Sequence, residues 1–286
     1  MPGERVVVTV AHSNPANSLG VGLGYRSELD ELLSRPRLVD WIEIISEHYM
    51  GNLAAAEHLM GAHPDMPIVP HGVNMSIGTI GNDPEWHKYV DSLAELSEFV
   101  NAPWFSDHLC FTHSGDSDIG TLTPLPRTRD VIRHVAERAR KAQEIVGKPF
   151  LLENIAYHVS WGDNMNESEF VSRVIEESGC YLLLDLTNLL YNGRNHRYDP
   201  DDFLDSLPLD RVMQVHLAGG TESDGIFYDT HSHPVPDDVW DLLSRVLQEN
   251  SKCAAMVERD KRLGETAEIE LDLQELRRVM PGCQSA

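Results

Sequence analysis

The sequence predicts an α/β fold, a single (β/α)8 TIM barrel, and three observations predict it. Short apolar, β-rich runs alternate with stretches of helical spacing. Eight such units follow one another in about 250 residues, the usual size of a closed barrel. No linker or low-complexity stretch interrupts them. Alternation of this kind implies right-handed crossovers and a parallel sheet, and eight units imply closure. The barrel is expected over residues 18–280, with an N-terminal extension at 1–17 and a C-terminal tail at 281–286.

Strands are predicted at Leu19 to Tyr25, Trp41 to Ser46, Ile68 to Asn74, Trp104 to Cys110, Phe150 to Ile155, Tyr181 to Leu186, Val212 to Leu217 and Ala254 to Glu258. The first holds Gly20, Gly22 and Gly24. A dinucleotide fingerprint would need a further glycine opening a helix and an acid roughly 20 residues on, so these glycines are read as letting the strand pack tightly at the barrel wall. Pro84 to Val100 puts Trp86, Tyr89, Val90, Leu93, Leu96 and Phe99 on one helical face, and Thr128 to Val146 sets its Arg and Glu residues opposite an apolar face. Asp83-Pro84, Asn166-Glu167 and Pro200-Asp201-Asp202 mark helix starts, while Pro103, Gly147 and Gly179 mark stops. Thr221 to Pro236 reads as a long polar loop.

Charge narrows the function. The 286 residues carry 46 Asp and Glu against 23 Lys and Arg, a formal net charge of -23. A polyanion binder needs clustered cations to replace counterions, so no nucleic-acid partner is expected, and an anionic membrane surface is disfavoured for the same reason. The apolar run from Val6 to Val10 is too short for a signal-peptide core, and nothing approaches the roughly 20 apolar residues of a membrane span. A cytoplasmic protein is expected. Cys110, Cys180, Cys253 and Cys283 are widely spaced and read as reduced thiols.

The ends of the strands carry the chemistry. His71 ends IVPHGVN, with Gly72 after it as if backbone must pass close to something; His108 ends WFSDHLC; Glu153 and Asn154 end the fifth strand. Asp185 and Asn188 close the sixth, His216 the seventh and Glu258 the eighth. The polar segment adds Asp229 and His231, whose i, i+2 spacing aims both to one side of an extended backbone. Any one of these is readily a hydrogen-bonded rim residue. As a set they fall on successive strand termini that a barrel gathers around one mouth, where adjacent buried carboxylates would repel unless cations lay between them. Asn154 aside, four His, two Glu, two Asp and one Asn make nine ligands, more than one octahedral shell takes, so two or three ions are expected. Imidazole and carboxylate without thiolate suit iron, manganese or zinc alike. His58, His63, His87 and His134 lie on or beside helices and read as surface or rim residues; His12, His113 and His158 are undecided; His48 and His233 stand near enough to the mouth to orient ligands.

These motifs, GVGLGYR, SEHYMG, HGVNMSIGT, SDHLCFT, TPLPRT, LLENIAYH, LLLDLTNLLYN, HRYDP, VHLAGG, DTHSHPV and ERD, occur in one order from about Gly20 to Asp260. In them the chain resembles the multinuclear non-heme iron-dependent oxidative enzymes, whose relatives include the methanobactin and thiaglutamate biosynthesis oxidases. The resemblance implies a TIM barrel holding two or three iron ions in mixed Fe(II)/Fe(III) states, with dioxygen as co-substrate. It implies oxidation of a cysteine in a ribosomally synthesised precursor peptide, presented by a separate recognition protein. It implies His71, His108, Glu153, Asp185, Asn188, His216, Asp229, His231 and Glu258 as metal ligands, with Glu153, Asp185, His216 and Asp229 central to catalysis. His48 stands where relatives often have Asn, His233 where many have a small residue, and Arg259 where Trp is frequent. Two rivals remain: a multinuclear metal-dependent hydrolase, phosphodiesterase or isomerase on the same barrel, and a non-catalytic metal-binding scaffold.

Overall fold

The structure, a computed structural model, describes residues 19–81, 84–114, 117–161 and 165–280. The elements run β1 Val21–Gly24, α1 Asp30–Leu33, β2 Trp41–Ile45, α2 Leu53–Ala62, β3 Ile68–Gly72, α3 Pro84–Phe99 and β4 Phe105–His108. Then come β5 Phe111–Ser114, β6 Ser117–Thr123, α4 Arg129–Val146, β7 Phe150–Glu153, α5 Glu167–Ser178, β8 Tyr181–Asp185, α6 Leu186–His196 and α7 Pro200–Asp205. The chain finishes with β9 Val212–Leu217, β10 Gly219–Ser223, β11 Ile226–His233, α8 Asp237–Glu249, β12 Ala254–Val257 and α9 Thr266–Val279. Strands β1, β2, β3, β4, β7, β8, β9 and β12 pair in parallel and close into a barrel. The protein is a TIM barrel, as its alternating pattern predicts.

Two apolar layers hold it. Helices pack on the outside of the strands through residues such as Val90, Leu93, Val135, Val174, Leu243 and Leu273. A smaller cluster, including Trp41, Val69, Trp104, Leu151, Leu183 and Met256, packs separately. Strand residues alternate between faces, and this second set has the parity that continues to Glu43, His71, His108, Glu153, Asp185 and Glu258. Two positions along from an apolar core residue, β2, β3, β4, β7, β8 and the end of β12 therefore each present a polar one on the same face. A Cβ on Gly22 would lie 2.3 Å from the Trp41 ring, which accounts for the first glycine-rich strand as a packing feature.

The local signals mostly act as read. Thr128 and Asn166 cap α4 and α5 with their side chains, and Gly147 and Gly179 end these helices in the left-handed region. α7 starts at Pro200 with Asp201 and Asp202 in its first turn, and Asp199 caps it. Three readings change. Asn101, with φ of 49°, turns the chain after α3, so Pro103 is not the stop. Phe99 is 38% exposed and leaves the buried face of α3. The supposed polar loop is a hairpin, β10 with β11. Its two-residue turn is Asp224-Gly225, both at positive φ, the geometry that favours tight hairpins and selects Asp-Gly. A second hairpin, β5 with β6, follows the fourth barrel strand, where the sequence pattern predicts no element. Asp83, His12, Cys283 and the two terminal segments lie outside the described residues. No helix among the described residues is long and apolar enough to cross a membrane.

Candidate metal centre

Strand register brings the predicted residues to one level. His108 is opposite Glu153 and Asp185 is opposite His216. His71, His108, Glu153, Asn188, Asp229, His231 and Glu258 line a cavity of about 690 Å³. Asp185 and His216 lie fully buried, in reach of Glu153. Three overlapping groups could each hold an ion: His71 with His108 and Glu153, Glu153 with Asp185 and His216, and Asp185 with His231 and Glu258. In each, the donor atoms lie within 4.8 Å of one another. Glu153 belongs to the first two groups and Asp185 to the last two, the arrangement expected of carboxylates that bridge ions.

The free valences point the same way. Buried polar atoms are nearly always hydrogen-bonded, yet Glu153 Oε2, Asp185 Oδ2, Asn188 Oδ1, His216 Nδ1, Asp229 Oδ1 and His231 Nε2 make no well-aligned hydrogen bond among the described residues, although Asp229 Oδ1 and His231 Nε2 lie 2.8 Å apart. The other ends of several of these side chains are tied. Asp185 Oδ1 accepts from Asn188 N at 2.6 Å, capping α6. Asn188 Nδ2 donates to Asn154 O at 3.1 Å. Asn154 in turn is committed to the Asp185 backbone, donating to its carbonyl and accepting from its amide, both at 2.9 Å. His108 Nδ1 faces the Gly72 carbonyl at 3.1 Å and His71 Nδ1 faces Ser106 Oγ at 2.8 Å. Their Nε2 atoms are left toward Glu153, each 3.4 Å from Oε2. Gly72 has the close approach its position suggested, since a Cβ there would lie 2.2 Å from Asp107 Oδ2.

Asp229 and His231 reach the mouth through an irregularity in β11. Gly219 pairs with His233 but Thr221 pairs with Tyr228, so the stretch between bulges out of the ribbon. Bulges re-aim side chains, and His231 takes a φ of 45° there. Its Nε2 lies 2.8 Å from Asp229 Oδ1 and its Nδ1 3.0 Å from Asp260 Oδ2. Arg26, from the end of β1, pairs with Asp260 in turn.

The charges of the site answer one another. Burial, with Asp229 and Glu153 beside it, pushes the Asp185 carboxyl well above the usual range. Burial opposes charge on His216 and His231, but Glu43 and Glu153 around the first, and Glu258 and Asp229 around the second, raise both well above an ordinary imidazole. Burial also works against ionised Glu153 and Glu258; the neighbouring histidines override it and hold both carboxyls low. His71 is lowered, chiefly by burial. Protons thus stand where positive charge is needed, and metal ions would replace them. Imidazole nitrogen, carboxylate and amide oxygen suit iron, manganese or zinc, so the donors fit the iron centre the sequence resemblance implies.

Four supporting residues escaped sequence reasoning. Glu43 is 3% exposed on β2, and its carboxylate lies 3.1 Å from His216 Nε2. It also accepts from Gln214 Nε2 at 2.5 Å, and the Gln214 carbonyl oxygen accepts from Trp104 Nε1 at 2.7 Å. With its Nε2 facing Glu43, the His216 ring is oriented with Nδ1 toward Glu153 and Glu258. Ser106 and Asp260 do the same for His71 and His231. Parity was the available signal: Ser106 precedes His108 by two and Gln214 precedes His216 by two, and Glu43 is the one charge inside the apolar run WIEII. By contrast His48 is exposed, and His233 bonds only locally, to Ser232 Oγ at 2.7 Å. The undecided His158 lies on the cavity wall against Tyr228, and His113 lines a different cavity.

Relatives agree with this architecture. The chain is 38% identical over 251 residues to a UPF0276 protein of Caulobacter vibrioides strain NA1000 / CB15N, covering 86% of this chain and 88% of that one. It is 33% identical over 280 residues to a UPF0276 protein of Streptomyces avermitilis, covering 95% of this chain but 57% of the relative, so it spans little more than half of that protein. Among solved structures, endonuclease IV from Thermus thermophilus superposes with a TM-score of 0.58 at 18% identity, covering 91% of this chain and 98% of that chain. D-psicose 3-epimerase gives 0.60 at 11% identity, covering 92% and 100%. At such identities the likeness shows the barrel alone. The sequence itself carries the relationship further: residues 20–281 match the family described as RiPP precursor modification enzyme MbnB/TglH/ChrH, and the chain belongs to it.

Proposed function

We propose that the protein is an oxidase that uses two or three iron ions and dioxygen to modify a cysteine in a ribosomally synthesised precursor peptide. The observation that carries this reading is the run of three overlapping donor groups with unsatisfied buried atoms, opening into one cavity, in a chain of a precursor-modification family. His71, His108 and Glu153 would hold one ion, Glu153, Asp185 and His216 a second, and Asp185, His231 and Glu258 a third, with Asn188 and Asp229 completing shells. Bound iron would supply one-electron redox chemistry and the Lewis acidity that favours a cysteine thiolate.

The chain's own contribution is placement. Glu43, Ser106 and Asp260 fix three imidazoles, so that the ligands are aimed before anything binds. Above them the cavity wall offers Tyr157, Trp161 and Tyr228, with Thr121 and Thr123 from β6. A cavity of about 690 Å³ lies within the range of pockets that enclose small ligands; it takes a cysteine with a few neighbours and not a whole precursor. In this reading a separate recognition protein would hold the remainder of the peptide, and the net charge of -23 favours a neutral or basic substrate over a polyanion.

The test uses iron-loaded protein, oxygen, and cysteine peptides encoded beside the gene, with and without a co-encoded partner. Peptide mass should change, and cysteine-to-serine replacement in the peptide should abolish the change. A change that survives that replacement, or proceeds equally without oxygen, overturns the proposal. Phosphoester hydrolysis by the metal-loaded protein would instead put the hydrolase reading first.

A further inference from the structure

The last barrel strand delivers Glu258 to the site, and Arg259 follows it with no solvent exposure. A guanidinium stays charged in a protein interior and needs polar partners there. Arg259 Nη2 donates to Asp272 Oδ2 at 3.2 Å, and Nη1 donates to the Ser232 carbonyl at 3.4 Å and faces Glu268 Oε2 at 3.4 Å. Asp272 is itself buried on α9, and both of its oxygens accept from Val235 N at 3.3 Å. Ser232 follows His231, the residue that the β11 bulge turns into the mouth.

More bonds cross the same seam. Asp260 N and Lys261 N donate to the His231 carbonyl at 2.8 and 3.3 Å, and Arg262 Nη1 donates to the Ser232 carbonyl at 3.3 Å. Four consecutive residues after Glu258 thus grip the backbone of His231 and Ser232. Arg262 also joins the bulge to α9, through Glu268 at 2.9 Å, but it does so from the exposed surface; among the four, Arg259 alone does so from the interior and reaches the buried Asp272. Its planar fork can address two acceptors at once, which a lysine ammonium on a flexible stem does poorly.

We propose that Arg259 is a positioning residue for the ion site formed by Asp185, His231 and Glu258. Glu258 is its covalent neighbour and His231 is held through the Ser232 carbonyl, so one buried side chain fixes the separation of two ligands that come from different elements. The proposal rests on the metal reading of the site. It assigns Arg259 no contact with substrate, and it leaves the group of His71, His108 and Glu153 outside its reach.

The test compares Arg259→Lys and Asp272→Asn with the wild type, each as the full chain. Metal content per chain after anaerobic iron loading, competition against a chelator, and amide hydrogen exchange over 229–235 in the metal-free protein are measured. Arg259→Lys should lose one ion per chain, or hold its weakest ion about 10–100-fold less tightly, the usual effect of removing a residue that orients a ligand. The remaining ions should keep wild-type affinity, exchange over 229–235 should quicken, and Asp272→Asn should act in the same direction. Selective loss of one ion is what a merely structural role would not produce. If Arg259→Lys does not fold, Asp272→Asn decides alone. Wild-type affinity for every ion in the variants overturns the proposal, as does equal weakening of all ions. A wild-type chain that takes up no metal overturns the metal reading instead, and the exchange measurement then still reports whether Arg259 orders the bulge.

Discussion

Glu153→Gln perturbs the centre at the point where two ion sites meet, and two consequences can be worked from the structure. The first is stoichiometry. Glu153 belongs to two of the three donor groups, and only the group of Asp185, His231 and Glu258 lacks it. The variant should therefore retain at most one ion per chain after loading and desalting. The second is the stability of the metal-free protein. There the Glu153 carboxylate lies 3.4 Å from His71 and His108 and 3.5 Å from His216, is 2% exposed, and is held ionised by the charge on its histidine neighbours against the opposing effect of burial. Removing one partner of a buried ion pair costs about 3–5 kcal/mol. Because the folded carboxyl titrates below its unfolded value, its contribution is fully present above the ordinary carboxylate range. It is lost as the pH falls through the lowered folded value. Urea denaturation of the chelated proteins should show a deficit of that size at pH 7, narrowing toward acid. Elemental analysis reads the ions. A variant with the full wild-type metal count, or a metal-free variant as stable as wild type at pH 7, would refute the assignment of Glu153 to the shared position.

Two further outcomes follow from the same network. Glu43→Gln should weaken the ion bound next to His216 by about 10–100-fold in a chelator competition, since the amide no longer holds the imidazole as a carboxylate does; unchanged affinity would mean that packing alone orients the ring. Metal uptake by the apo protein near neutral pH should release protons, because Asp185, His216 and His231 all have raised values and must deprotonate to bind. Apparent affinity should then rise with pH, and a titration in weak buffer that shows no proton release would contradict this account of the charges.

The barrel and the nine candidate ligands were legible because both depend on periodicity. A buried parallel strand reads as an apolar run, and a polar residue at its end stands out against that run, as His216 does in MQVHL and Asp185 in LLLDL. For the ligands on β11, spacing gives only part of the reason they reach the site. Asp229 and His231 share an aim as their i, i+2 spacing predicts, but they sit in a bulged hairpin and not in a loop. The turn that makes the hairpin, Asp224-Gly225, was visible in the sequence, and the polarity around it obscured the signal. The β5–β6 hairpin was harder to see, since its second strand is largely exposed and carries little apolar pattern.

What stayed hidden is the layer beneath the ligands, and the reason is physical. Ser106 and Glu43 act through partners on other strands, as Gln214 does toward Glu43 and Trp104, and strand pairing is fixed by three-dimensional closure. Glu43 and His216 are 173 residues apart in sequence and meet because the barrel closes. Once closure is granted, parity becomes a rule: the residue two before a ligand shares its inward face and lies one layer deeper. Where that deeper residue is apolar, as Leu151 is below Glu153 and Leu183 below Asp185, it belongs to the inner core cluster. Where it is polar, as at Ser106 and Gln214, it bonds to an imidazole of the site or to the carboxylate that orients one. His71 departs from its own strand's pattern, since Val69 beneath it is apolar, and its second nitrogen is met instead by Ser106 of the adjacent strand. Carboxylates can be held from the side, as Asp185 is by the first turn of α6, whereas an imidazole needs a partner for its second nitrogen if the first is to face a metal.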